Sequence, residues 1–76
     1  MVAVGAALLT SLELSRALLR CYRSDAFSYE ITAKACKMIH GYDKPFGCII
    51  QSEDMCEKAA AKCRLLGATY YSCTAP

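Results

Sequence analysis

The stretch TSLELSRALLRC, Thr10 to Cys21, decides how the chain is read. Thr10 and Glu13 match a capping box, in which the threonine hydroxyl accepts from the Glu13 amide and the glutamate reaches back to the Thr10 amide. Behind it Leu14, Ala17, Leu18 and Cys21 fall at i, i+3, i+4 and i+7, the spacing of one apolar stripe on a helix. Neither Gly nor Pro occurs between Ala6 and His40. The stretch therefore predicts an amphipathic first helix over about residues 6–23, which can also start near Val4.

Working outward, Ser24 and Asp25 compete for local backbone bonds and predict a break. A second helix is expected over 26–40, with Ile31, Ala35, Met38 and Ile39 inward. Lys34, Lys37 and His40 lie toward its carboxyl end, where the helix dipole favours positive charge. Gly41 follows as the left-handed residue that ends it. A continuous helix across Ser24 is the alternative. Residues 42–51, YDKPFGCIIQ, are expected as a connection, because Pro45 and Gly47 punctuate them. Ile49 and Ile50 are too apolar for a free loop and are expected to fold back on the core, pinned by Cys48. A third helix over 53–66 is capped by Ser52, has Glu53 and Asp54 in its first turn, and closes at Gly67. The expected fold is all-α: a small disulfide-stapled bundle or hairpin of two to three helices within one domain, 1–76. It comprises an apolar amino-terminal helix (1–23), a helical hairpin (26–67) and a tail (68–76).

The cysteines set the chemistry. Six of 76 residues are cysteine, at positions 21, 36, 48, 56, 63 and 73, separated by 14, 11, 7, 6 and 9 residues. Structural zinc sites need tight ligand pairs, and thiol-redox enzymes a Cys-x-x-Cys, and neither is present. An even, dispersed set in a chain too short for a self-sufficient core predicts three disulfides and an oxidising compartment. Cys56, Ala59, Ala60 and Cys63 share one face of the third helix, and small residues there let the second helix approach closely. In an antiparallel helical hairpin Cys36 and Cys56 lie at similar height. The expected pairing is then Cys36–Cys56, Cys21–Cys63 and Cys48–Cys73, ranked first among fifteen connectivities.

Other functions are excluded on composition. A net charge of +2, with basic residues unclustered and aromatics not interleaved with them, argues against nucleic-acid binding. His40 and Asp43 can be sketched as an acid–base pair, but no motif places a nucleophile with them, so no catalytic residue, cofactor or metal ligand is expected. The chain is 55% hydrophobic, more than so small a domain can bury, and part of that surface is expected to face a partner. The candidate interface residues are Val2, Val4, Leu8 and Leu9, with possible membrane-surface contact through residues 2–9, and Tyr70 and Tyr71 in the tail. Nine apolar residues, Met1 to Leu9, are too short for a membrane span. The segment's arginines and serines suit a mitochondrial targeting segment, but a helix of the fold is the preferred reading.

Cys48-Ile-Ile followed by Glu53, Asp54 and Cys56, with nine residues between Cys63 and Cys73, resembles the small coiled-coil-helix-coiled-coil-helix proteins of mitochondria. The resemblance implies a helical hairpin stapled by disulfides, in the intermembrane space or at the inner-membrane periphery. It further implies a non-catalytic structural or assembly subunit of a large membrane-associated complex, respiratory or ATP synthase, with other subunits as partners. The adjacent cysteine pair of the family's copper chaperones is absent, so copper transfer is not implied. The alternative is a secreted disulfide-rich helical peptide (toxin, pheromone or effector) acting by receptor binding. A secreted peptide is expected to begin near Ser11 or later after processing, and a subunit to keep Met1.

Overall fold

A computed structural model describes residues 16–76. The capping box Thr10–Glu13, the start of the first expected helix and the interface candidates Val2, Val4, Leu8 and Leu9 lie outside the described residues.

The fold is not all-α. Among the described residues five antiparallel strands and two short helices alternate: β1 Ala17–Arg23, β2 Ala26–Phe27, α1 Tyr29–Met38, β3 Tyr42–Lys44, β4 Gly47–Ile50, α2 Cys56–Leu65 and β5 Tyr70–Thr74. A 3-10 turn, Glu53–Met55, leads into α2. β1 is the centre of the sheet. It pairs with β5 along one edge and with β4 along the other, and β4 pairs outward with β3. The two-residue strand β2 extends the β4 side of β1 end to end. Leaving β2 aside, the succession is β-α-β-β-α-β in the order β5-β1-β4-β3, a split β-α-β sheet with both helices on one face.

From Ala17 onward the segment that decides the fold is thus a strand where a helix was expected, and the reason lies in its two overlapping patterns. Ala17, Leu19 and Cys21 are fully buried while Leu18, Arg20 and Tyr22 are only half-buried. This is the period-two alternation of a sheet with one covered face. Ala, Leu and Arg favour helix by propensity, but such preferences are weak, and pairing with three strands overrides them. Ser24 and Asp25 do break the chain, as a two-residue hairpin turn with both φ values positive (52° and 68°). That backbone matches the twist of paired strands.

The second expected helix is shortened at both ends. Residues 26–27 are strand, Ser28 accepts from the Ile31 amide as amino-terminal cap, and α1 ends at Met38. His40, not Gly41, takes the left-handed conformation, with φ 58°. The expected connection is a hairpin, β3–β4, turning at Pro45 and Phe46. The third helix begins at Cys56 rather than 53, after the 3-10 turn. Its carboxyl end closes at Gly67 (φ 104°), with the Ala68 amide donating to the Cys63 carbonyl. The tail is β5.

One interior residue explains how α1 is held. Between the end of β4 and the start of β2, the edge of β1 has no strand partner at Cys21. Buried Thr32 fills this gap: its hydroxyl accepts from the Cys21 amide (2.9 Å) and donates to the Ser28 carbonyl (2.7 Å). The Ser28 amide donates to the Cys21 carbonyl (2.9 Å). The gap in the ladder is therefore satisfied by the first turn of α1, as buried backbone groups require. Leu19, Ile31, Ala35, Ile39, Ile50 and Ala59 complete the core around these residues.

Candidate functional site

The cysteines carry no free thiol: all six are bonded. Cys21 of β1 joins Cys63 of α2, as the sequence reading pairs them. The other two pairings differ from expectation. Cys36 of α1 joins Cys48 of β4, not Cys56. Cys56, at the start of α2, joins Cys73 of β5, not Cys48. The expected pairs assumed two helices tied face to face. In the fold each helix is instead tied to the sheet, α1 once and α2 at both ends. The face Ala59, Ala60 and Cys63 is buried, and its cysteine reaches a strand.

Gly41 makes the Cys36–Cys48 bridge possible. A Cβ at this position would lie 2.5 Å from Cys48 Sγ, 3.0 Å from Cys36 Sγ and 3.1 Å from the Ile49 carbonyl oxygen. The glycine is there for close approach, not for backbone conformation.

His40 and Asp43 are not joined. The Asp43 carboxylate accepts from the Tyr29 hydroxyl (2.8 Å), an exposed bond tying the start of α1 to β3. That bond, reinforced by the carboxylate's charge, raises the Tyr29 pKa above its ordinary value of 10.0. A cavity of about 190 Å³ nearby is lined by Ala33, Lys34, Cys36, Lys37, Gly41 and Asp43, with the Cys36 sulfur held in its bridge.

Among the described residues nothing covers the sheet face opposite the helices. Register places its side chains in rows across the strands. Phe27, Tyr22 and Tyr70 form one row on β2, β1 and β5. Their rings touch, Tyr22 to Phe27 edge-on at 6.2 Å and Tyr22 to Tyr70 at 5.5 Å between centroids. A second row holds Lys44, Gly47, Arg20 and Ser72. The Arg20 stem lies by Gly47, where a Cβ would come within 3.0 Å of it, and its guanidinium sits 4.8 Å from the Phe27 ring centroid. Buried Arg20 Nε has no hydrogen-bond partner among the described residues. A third row holds Tyr42, Ile49, Leu18 and Thr74. Beyond it a depression of about 300 Å³ is lined by Arg16, Tyr42, Lys44 and Ile49.

Tyr70 and Tyr71, both expected at an interface, part company here. Tyr70 is 62% exposed on the open face, as is Tyr42 at 61%. Tyr71 points to the helix side, packs on the core and lies under Arg64, whose guanidinium is 5.7 Å from its ring centroid. Sequence reasoning missed Tyr22, Phe27 and Tyr42, and missed that Arg16, Arg20 and Lys44 interleave with them. The alternation Leu18, Arg20, Tyr22 in β1 was the available signal. No family model, curated protein or solved structure matches this chain.

Proposed function

We propose that this chain is a non-catalytic contact module, stapled for an oxidising and extracellular setting, that acts through the open face of its sheet. The observation that carries the reading is that face itself: three tyrosines, a phenylalanine, Leu18 and Ile49 left uncovered by either helix. Aromatic residues and arginine, without carboxylates between them, are the composition of a contact surface. The module keeps the secreted, contact-making role of the sequence-based alternative but not its helical fold. The mitochondrial subunit rests on a helical hairpin, and here each helix is tied to a strand.

The disulfides supply what the small core cannot, because a single core below about 80 residues rarely gives more than about 3–5 kcal/mol. Bridges of this kind persist in oxidising compartments and are rare in the cytosol. The intact mass of the protein from its native source tests the proposal. The expected mass is six hydrogens below that of the reduced chain, three bridges' worth, with no uptake of alkylating agent before reduction. Alkylation of the unreduced native protein at several cysteines contradicts it.

A further inference from the structure

Among the described residues the carboxylates keep off the open face, while cations lie on both sides, with Lys34, Lys37, Lys58, Lys62 and Arg64 on the helices. The cations Arg16, Arg20 and Lys44 lie on or beside the open face. The carboxylates Glu30, Glu53, Asp54 and Glu57 belong to the helices and the 3-10 turn, and Asp25 to the hairpin turn. Asp43 shares a register position with buried Cys48 and bonds Tyr29, so it faces the helix layer. The face thus offers positive charge, exposed tyrosines and apolar side chains together and, among the described residues, no acid. Among the described residues no helix is long and apolar enough to cross a membrane. We propose that the open face docks flat on an anionic phospholipid surface, with Tyr42, Tyr70, Leu18 and Ile49 at the headgroup boundary and Arg16, Arg20 and Lys44 against the lipid phosphates and carboxylates.

The occupant is fixed by charge and shape. Aromatic rings with a polar tip settle at the membrane interface, and basic side chains are drawn to an anionic leaflet. Arginine and lysine bury their stems while their charges reach headgroups. A single-stranded nucleic acid would also meet cations and stacking rings. Leu18 and Ile49, however, give a nucleic acid neither a stacking ring nor a polar partner, whereas aliphatic side chains beside cations suit a headgroup and acyl boundary. This inference rests on the contact reading above.

The test uses the oxidised full chain and sedimentation with phosphatidylcholine vesicles, with and without phosphatidylserine. Binding is expected only with phosphatidylserine and is expected to weaken as salt rises. Each basic residue near such a leaflet is worth roughly fivefold. The Arg16→Gln/Lys44→Gln variant, which spares the packed Arg20, is therefore expected to bind about 25-fold more weakly. Lys37→Gln/Lys58→Gln, which removes equal charge from the helices, is expected to bind as the parent does. Three results overturn the proposal: equal binding to both vesicle types, an equal loss in the helix variant, or tighter binding to a single-stranded oligonucleotide than to the anionic vesicles. Tyr42→Ser separates the two levels. If Tyr42→Ser melts like the parent and the parent itself leaves anionic vesicles unbound, only the lipid assignment falls. If the substitution lowers the melting temperature substantially, the face is structural and the contact reading falls with it.

Discussion

Replacing Cys21 and Cys63 together by alanine is expected to leave the chain largely unfolded at room temperature. Their bridge spans 42 residues, against 12 for Cys36–Cys48 and 17 for Cys56–Cys73. On the chain-entropy account the longest loop is worth about 4 kcal/mol and the shorter two about 3 kcal/mol each. Typical domain stabilities imply only about 4–11 kcal/mol for 76 residues, so the loss of one bridge is a large share. Cys21 and Cys63 are also both fully buried, whereas Cys56 and Cys73 are only partly so. The double alanine variant at 21 and 63 therefore leaves space at the centre of the core as well as a longer unfolded chain. Denaturant titration followed by circular dichroism is the measurement. The 56/73 double variant should keep a cooperative transition at lower denaturant. If the 21/63 variant unfolds at the same midpoint as the 56/73 variant, the core is not built around the first bridge.

Gly41→Ala is the second large effect expected, for one added carbon. The neighbours that Cβ would strike are two bridged sulfurs and a backbone carbonyl of β4. None is the far end of a flexible side chain, so relief requires β4 or α1 to move. Overpacking of a closed site costs about 1–3 kcal/mol, occasionally more. The variant is expected at the upper end, with part of the protein failing to close Cys36–Cys48. Gly67→Ala is the comparison, since nothing lies within 4 Å of its Cβ position and only its φ of 104° is strained. Thermal melts and counts of alkylatable thiols decide. A Gly41→Ala protein that oxidises completely and melts with the parent means that α1 does not sit this close to β4.

What could be read from the chain follows what is local. Ser52 and Gly67 mark the two ends of the α2 segment because caps and left-handed closures act within a few residues. The three bridges follow from an even cysteine count in a short chain. The central strand was not legible because ALLRCYR satisfies both periods at once: Ala17, Leu18 and Cys21 make a helical stripe, and Ala17, Leu19 and Cys21 a strand face. Only partners far along the chain settle it, β4 and β5 beginning 30 and 53 residues after Ala17. The bridge pairings inherit that misreading. Cys36–Cys48 is a helix-to-strand link, and no height argument between two helices can find it. The open face was hidden for the same reason. Tyr22, Phe27, Tyr42 and Tyr70 are scattered over almost fifty residues, and only strand register brings three of them into one row with the fourth beside the cations.

The central claim is that each helix is stapled to the sheet rather than to the other helix, and disulfide mapping of the unreduced protein tests it most directly. Cleavage after lysine, arginine and glutamate separates all six cysteines, since Glu53 lies between Cys48 and Cys56. The fold predicts Cys21-Tyr-Arg linked to Cys63-Arg, the Cys36 fragment linked to the Cys48 fragment, and the Cys56 fragment linked to the carboxyl-terminal fragment with Cys73. A Cys36–Cys56 link together with Cys48–Cys73 would contradict it and restore the helical hairpin.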